Sequence, residues 1–377
     1  MTVPIRSREY PAAQPAPLIL HIVPGFGPGG AQSRIVVLLN RLGCQFRHAI
    51  ISLSGDLRAA ERIESSVDFR GVEFQVPSNP FRAVARFADL LREWRPALLL
   101  TYNWGSIEAV AAARLVRICP VIHTEDGFGD EEAIRQMPRR VWTRKLVLRH
   151  ASSVIAISAN LEGIMRNQWR LPARIVKYIP NGVDLDFYRP ANRPSATARE
   201  IVVGTAGQLR PEKRQEELIG LCAQLQAHVP VRLRIAGDGP ERASLEACAR
   251  ESAISDRVEF LGQVKDLRSF YASLDVFALT SSTEQMPMTV LEAMASGLAV
   301  ISTDVGDVKR MVCPENAPFV VPLGVELAEA ARRLASDAEL RRSLGVQNRR
   351  HCEQHYSLDK MVDTYRSLYA DAVRRDG

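Results

Sequence analysis

Apolar residues recur along this chain in two alternating rhythms. Short runs of strand length occur at 18–23 (LILHIV), 48–53, 97–101, 120–123 and 153–157, and longer segments with helical spacing lie between them, such as 30–42 and 80–94. Unbroken apolar runs suit strands whose two faces are both covered, so the alternation predicts a parallel sheet wrapped by helices. Residues 189–200 (RPANRPSATARE) interrupt the pattern with prolines and no apolar period, as a linker does. The alternation then restarts. Strands are expected at 201–206, 231–236, 258–261, 275–279 and 298–302, and helices at about 211–228, 240–252, 266–273 and 288–296. The segment 358–373 is apolar at helical spacing and reads as a closing helix. The expectation is an α/β chain of two tandem doubly wound domains. Its parts are a loose tail at 1–17, a first domain at 18–190, a linker at 191–200, a second domain at 201–355 and a C-terminal helix at 356–377 packing back on the first domain.

Composition narrows the class. The 377 residues are 46% hydrophobic and 24% charged, which is too balanced for disorder. No apolar run approaches the roughly 20 residues of a membrane-spanning helix. The six cysteines lie far apart with no CxxC spacing, which argues against a zinc site or a disulfide framework and fits a reducing cytoplasm. The net charge of +6 is uneven: residues 1–190 carry 25 Lys and Arg against 17 Asp and Glu, whereas 191–377 carry 24 against 26. The first half is therefore expected to meet something anionic. The segment 131–150 concentrates this charge, with six basic residues against two glutamates and Val141, Trp142, Leu146 and Leu148 interleaved. Such a stretch suits an anionic lipid surface or an anionic acceptor, or is simply a solvated helix face.

Three stretches can carry chemistry. The turn Gly25-Phe26-Gly27-Pro28-Gly29-Gly30 joins the first strand to the first helix, where glycines admit close backbone approach and helix amides can take phosphate. Its spacing also fits a dinucleotide fingerprint, but the second strand ends Ser52-Leu53-Ser54 without the acidic residue such a site wants. A plain tight turn is the third reading. In the second half, Gly207-Gln208-Leu209-Arg210-Pro211-Glu212-Lys213 follows a strand; Arg210 and Lys213, three apart in an expected first helical turn, suit a diphosphate clamp or are simply solvated surface cations. Finally, Glu284 and Glu292 stand eight apart, the first in a loop and the second inside a helix. The amides of Met286 to Thr289 open that helix, and Gly297 ends it.

This last stretch resembles the E-x7-E element of family 4 retaining glycosyltransferases, which have the GT-B fold. Other pieces fall in the same order: Gly29-Gly30, His123 ending a strand in VIHTEDG, Asn181-Gly182-Val183-Asp184, GQLRPEK at 207–213, AGDGP at 236–240 and LEAMASGLAVISTDVG at 291–306. The resemblance covers 18 to about 310. It implies a retaining enzyme of surface-polysaccharide synthesis, with a nucleoside diphosphate sugar held in a cleft between the domains. Arg210 and Lys213 would neutralise the departing diphosphate, with Gly207 in the same loop. Glu284 would sit at the donor-sugar hydroxyls and Glu292 at the ribose. Met286, Met288 and Thr289 would contact sugar and phosphate, and Gly29 and Gly30 the diphosphate. His123 would lie near the reacting face, and Asp126 would meet the acceptor. The resemblance implies no essential metal or cofactor, and Asp184-Leu185-Asp186 is not read as a metal motif. The acceptor would be a glycan or lipid-linked hydroxyl, not a nucleic acid, and the enzyme would be cytoplasmic, on the inner face of the plasma membrane. Gln285 and Met286 depart from the family pattern beside the donor sugar. A sugar-nucleotide epimerase of the same fold, an NAD-dependent dehydrogenase and a non-catalytic binding partner are the competing readings.

Overall fold

A computed structural model describes residues 16–43, 45–128, 132, 135–191 and 200–375. The expected tail and the linker fall almost wholly outside the described residues, as do Cys44 and residues 131, 133 and 134 of the basic segment. The strands are β1 (Leu18–Val23), β2 (Arg47–Ser52), β3 (Phe69–Val72), β4 (Leu98–Tyr102), β5 (Val121–Glu125), β6 (Ser153–Ala156) and β7 (Val176–Tyr178), then β8 (Ile201–Ala206), β9 (Val231–Ala236), β10 (Val258–Gly262), β11 (Val276–Leu279), β12 (Ala299–Thr303) and β13 (Val320–Val321). They form two sheets, ordered β3-β2-β1-β4-β5-β6-β7 and β10-β9-β8-β11-β12-β13. In both, chain order reverses beside the first strand, the doubly wound pattern. The registered pairs run parallel.

The chain divides into two compact units. One comprises residues 1–122 with 368–377; the other runs from His123 to Ser367. In the first, α1 (Gly30–Leu42), α2 (Pro80–Trp94) and α3 (Ile107–Val116) connect the strands. The spacing predicted α1 and α2 at these same limits, and Asn79 caps α2 by accepting from the amides of Phe81 and Arg82. A buried polar chain crosses this sheet: Tyr102 Oη lies 3.2 Å from His21 Nδ1, and His21 Nε2 lies 3.1 Å from His48 Nδ1.

In the second unit, α4 (Pro138–Leu148) and α5 (Ala159–Asn167) precede the second sheet, and α6 (Gln215–Gln226), α7 (Arg242–Glu251), α8 (Leu267–Ala272), α9 (Met288–Ala295), α10 (Val308–Met311), α11 (Val325–Ser336) and α12 (Ala338–His355) follow its strands. The helix α13 (Leu358–Arg375) begins in this unit, where Leu358 N donates to Val183 O at 3.0 Å. The core draws on β8, β9, β11 and β12 against α6 and α11. Buried Asn316 serves β12 as a surrogate strand: it accepts from Val300 N at 3.0 Å and donates to Val300 O at 2.7 Å.

Expected and observed strands agree to within two residues at each end, but β3 and β13 were missed. Both are short edge strands: β3 is FRGV with two exposed central residues, and β13 is only two residues long. The expected helix at 211–228 divides. Pro211–Lys213 forms a 3-10 turn, Arg214 adopts φ 49°, and only then does α6 begin.

Burial pushes the His48 imidazole from 6.5 down to about 4, and burial followed by its His48 neighbour lowers His21 as well. The unfolded chain therefore binds protons that the folded one refuses, so stability falls as pH drops from about 6.5 to 4. His48 alone contributes about 3 kcal/mol to that loss. Denaturant titrations across this range should show the decline, and His48→Gln should make it shallower.

Candidate functional site

The second sheet explains how its candidate residues meet. β8 and β11 are neighbours at the point where strand order reverses, so the loops leaving their C-terminal ends face one another. The loop after β8 carries Gly207, Arg210 and Lys213; the loop after β11 carries Ser281 and Glu284. The two are stitched by backbone and side chain. Ser282 N donates to Glu212 O at 2.8 Å, and Thr280 Oγ1 donates to Arg214 O at 2.8 Å. Lys213 Nζ then reaches Glu284 Oε1 at 2.5 Å, and Ser281 Oγ donates to the same oxygen at 2.8 Å. Both charged groups stay partly open to solvent, with side-chain exposures of 26% and 12%. Arg210 is 53% exposed and lies 3.8 Å from Glu212.

Arg210 and Lys213 were expected on the first turn of a helix. They lie instead on the 3-10 turn and its preceding residue, because the left-handed Arg214 separates them from α6. The glycines beneath this loop have a packing reason. A Cβ on Gly237 would lie 1.7 Å from Gly207 O, and one on Gly239 would lie 2.3 Å from Leu209 O. AGDG is therefore the floor under the cationic loop.

The loop Glu284-Gln285-Met286 is held from three directions. Asn181 N donates to Met286 Sδ and Asn181 Nδ2 to Met286 O, each at 3.2 Å. Asp307 N donates to Gln285 O at 2.9 Å. Ser158 Oγ and Asn160 Nδ2 donate to Gln285 Oε1 at 3.1 and 3.3 Å. The carboxylate of Asp307 in turn accepts from Ala159 N at 2.5 Å and Asn160 N at 3.0 Å, so a residue from far along the chain caps α5. A Cβ on Gly127 would lie 3.0 Å from Gln285 Cγ, which places the segment after β5 beside this loop. The Met286 side chain is buried and anchors the loop, while Met288 and Thr289 open α9 half-buried.

Glu292 lies inside α9 as expected. Tyr271 Oη donates to its Oε2 at 2.7 Å, and Tyr188 is a second side-chain donor. Burial pushes the Glu292 carboxyl from 4.5 up to about 7, against the pull of both tyrosines.

His123 does not end its strand; it is the third of five residues in β5 and is fully buried. Its Nε2 lies 3.7 Å from Glu125 Oε2, and Glu125 lies 3.6 Å from Arg144 Nε. Arg144 is buried too. It pairs with Glu132 at 2.9 Å and sits over the Phe128 and Trp169 rings at 5.3 and 4.9 Å. Arg140 joins Glu132 at 3.1 Å. Burial pushes the Glu132 carboxyl up, but the two arginines outweigh it and hold it below its usual range. Two of the six bases in the basic segment thus face inward. Asp126 follows β5 and is half-buried.

In the first unit, Gly29 stands at the N-cap of α1 and Gly30 begins the helix. Gln32 Nε2 donates to Gly25 O at 3.0 Å, closing the turn. β2 ends at Ser52, and Asp56 beyond it is bound to Arg58 at 2.8 Å, whose hydrogen bonds hold its carboxyl at about 2. Asp184 accepts from the amides of Asp186 and Phe187.

Ser281, Asp307, Tyr188 and Tyr271 were not singled out from the sequence. Asp307 acts on Ala159 and Asn160, 148 and 147 positions away, and Tyr188 and Tyr271 read as ordinary core tyrosines. Only Ser281, three residues from Glu284, had a local signal.

Two family models match. That of "Glycosyl transferases group 1" covers residues 190–351, and that of "Glycosyl transferase 4-like domain" covers 26–182. The putative glycosyltransferase EpsF of Bacillus subtilis is 25% identical over 76% of this chain and 79% of its own length. A GDP-mannose-dependent alpha-mannosyltransferase of Mycobacterium tuberculosis is 30% identical over 63% of this chain and 61% of its own. Among solved structures, Anabaena HepE in complex with UDP-glucose superposes with a TM-score of 0.78 at 20% identity, covering 94% of this chain and all of that one.

Gly306 (φ 53°) supports the Glu284 loop from below; a Cβ there would lie 2.4 Å from Glu284 O and 2.7 Å from Gln285 O. Gly306→Ala must therefore push the loop off Lys213 and strain the backbone. We expect a stability loss of about 1–3 kcal/mol by denaturant titration, together with a turnover loss larger than that of Gly220→Ala, where a Cβ meets nothing.

Proposed function

This chain belongs to the group 1 glycosyl transferases, and we propose that it moves a sugar from a nucleoside diphosphate donor to a glycan or lipid-linked hydroxyl, with retention at the anomeric carbon. One observation carries the reading: Lys213 and Glu284 meet at the strand-order reversal of the second sheet, where α/β proteins bind ligands. The relatives support the donor class, since one is named for GDP-mannose and a structural neighbour holds UDP-glucose.

The residues divide the work by charge. As the bond from the anomeric carbon to the diphosphate breaks, negative charge grows on the leaving oxygen. Lys213 and Arg210 meet that charge in place of a metal ion, and removing one such preorganised donor costs about 100- to 1,000-fold in turnover. The acceptor oxygen bonds to the anomeric carbon from the face the diphosphate leaves, and the leaving phosphate oxygen takes the acceptor proton. Glu284, fixed by Lys213 and Ser281, orients the donor-sugar hydroxyls. Glu292 takes the ribose hydroxyls. Gly207, Met288 and Thr289 offer backbone amides to phosphate and sugar, and Gly29 and Gly30 at the start of α1 offer backbone contacts to phosphate. His123 and Asp126 serve the reacting face and the acceptor. An epimerase would give product without any acceptor; a dehydrogenase would bind NAD.

We place the enzyme on the inner face of the plasma membrane, docking on anionic lipid through the outer face of α4. Among the described residues no helix is long and apolar enough to cross a membrane. Trp142 and Leu146, one turn apart, are 60% and 52% exposed, with Arg139 and Arg149 exposed beside them. Apolar wedges flanked by cations suit an anionic lipid surface.

A thermal-shift screen with UDP, GDP, ADP, their sugar conjugates and NAD tests the donor. One nucleoside diphosphate should raise the melting temperature with concentration, and a response to NAD alone would sink the reading. Lys213→Ala should lower turnover by at least 100-fold with an unchanged melt, and EDTA should leave the wild type active. Sedimentation with vesicles tests the membrane: binding should require anionic lipid, and Trp142→Ser with Leu146→Ser should abolish it.

A further inference from the structure

Glu292 is surrounded in a way that a ribose contact alone does not require. Its neighbours come from α8, the segment after β7 and α12. α8 supplies Tyr271, fully buried, whose hydroxyl donates to Glu292 Oε2 at 2.7 Å and lies 3.4 Å from Thr289 O. The segment after β7 supplies Tyr188, whose ring meets Tyr271 edge-on with centroids 5.7 Å apart. Charges further out act on Tyr188: Asp184, and Asp266 at the start of α8, which Arg268 pairs. α12 packs on α9 with Arg349 and Cys352. Arg349 is spent on the carbonyls of Tyr188, Leu185 and Ala295 and on Glu353. Burial pushes the Cys352 thiol up to about 12, so it stays neutral. The two phenols are neutral as well, since burial and then Glu292 raise both. Among the described residues the side chains that hold the carboxylate are these two neutral tyrosines.

We propose that Tyr188 and Tyr271 are positioning residues, which fix the Glu292 carboxylate for a ribose 2′,3′-diol and make nucleoside diphosphate binding consume its ionised form. This rests on the donor reading above. A carboxylate offers about four acceptor directions when ionised. The tyrosines take two and leave two for the diol's hydroxyls. Protonation turns the group into a donor on one side and forfeits that match. Affinity is reduced by the fraction of protein that is not ionised at Glu292, so binding tightens as pH rises through the neutral range. Each phenol favours the charged form, so removing one moves the transition to higher pH.

The experiment is calorimetric titration of the wild type with UDP, GDP and ADP at pH 6, 7 and 8, repeated with the 2′,3′-dideoxy counterpart of whichever binds. The dideoxy control separates Glu292 from the terminal phosphate, which itself titrates near pH 6. Kd for the ribose compound should fall about tenfold from pH 6 to 8 beyond any change in the dideoxy one. Tyr188→Phe, a conservative change, should shift that fall to higher pH, and Glu292→Gln should bind weakly and flatten it. Equal pH dependence for ribose and dideoxy compounds, or an unmoved transition in both Tyr188→Phe and Tyr271→Phe, overturns the inference and leaves the donor reading intact. If none of the three diphosphates binds at any pH, the donor reading falls and takes the inference with it.

Discussion

The candidate chemistry of this protein depends on one topological constraint: strand order reverses between β8 and β11. At that point successive connections leave on opposite faces, so the loops that follow the two strands meet at the edge of the sheet. Lys213 and Glu284 are 71 residues apart and still share a 2.5 Å contact, because each follows a strand end on one side of that reversal. Everything else in the second unit serves to keep the loops there. Gly237 and Gly239 give up side chains so that the cationic loop can lie on them, and Asn316 closes the strand that lacks a longer partner. The cost of ordering two irregular loops is met by hydrogen bonds from their own backbone, which is why they hold a defined shape without regular structure.

How much of this was legible in the sequence depends on the range of the interaction. The covered parallel strands were legible, since β1, β8 and β9 carry the unbroken apolar runs that two-sided burial demands. Helices α1 and α2 were legible from local spacing. The edge strands β3 and β13 were not, because an edge needs little apolar surface. The break at Arg214 was hidden because nothing but a fold-imposed left-handed residue separates a 3-10 turn from a helix there. Among site residues, Glu284, Glu292, Arg210 and Lys213 stood out through charge at fixed spacing. Tyr188 and Tyr271 did not, since a tyrosine packing in a core and a tyrosine aiming a carboxylate leave the same trace in one sequence. The basic segment shows the opposite error. Charge counting treats every arginine as a surface charge, whereas Arg144 is consumed in a buried pair with Glu132.

That buried pair gives α4 two unlike faces. Removing one partner of a buried ion pair is strongly destabilising, so Arg144, Glu132 and Glu125 fix the roll of the helix about its axis. The rings of Phe128 and Trp169 limit it further. Trp142 and Leu146 therefore project in a set direction rather than sweeping the surface. For the docking proposed above, the cost of ordering these two side chains is already met in folding.

The Asp307 clasp bears on how such proteins can be recombined. Asp307 caps α5 with its carboxylate and supports Gln285 with its amide, while Ser158 and Asn160 hold the Gln285 side chain. The residues next to the Glu284 carboxylate are thus partly specified by a helix start more than a hundred positions earlier. A chimera that imports 281–310 from a relative to alter sugar choice carries only half of a matched set. The crossover has to bring 158–160 with it, and the heritable unit of this pocket is a discontinuous pair of segments rather than a cassette.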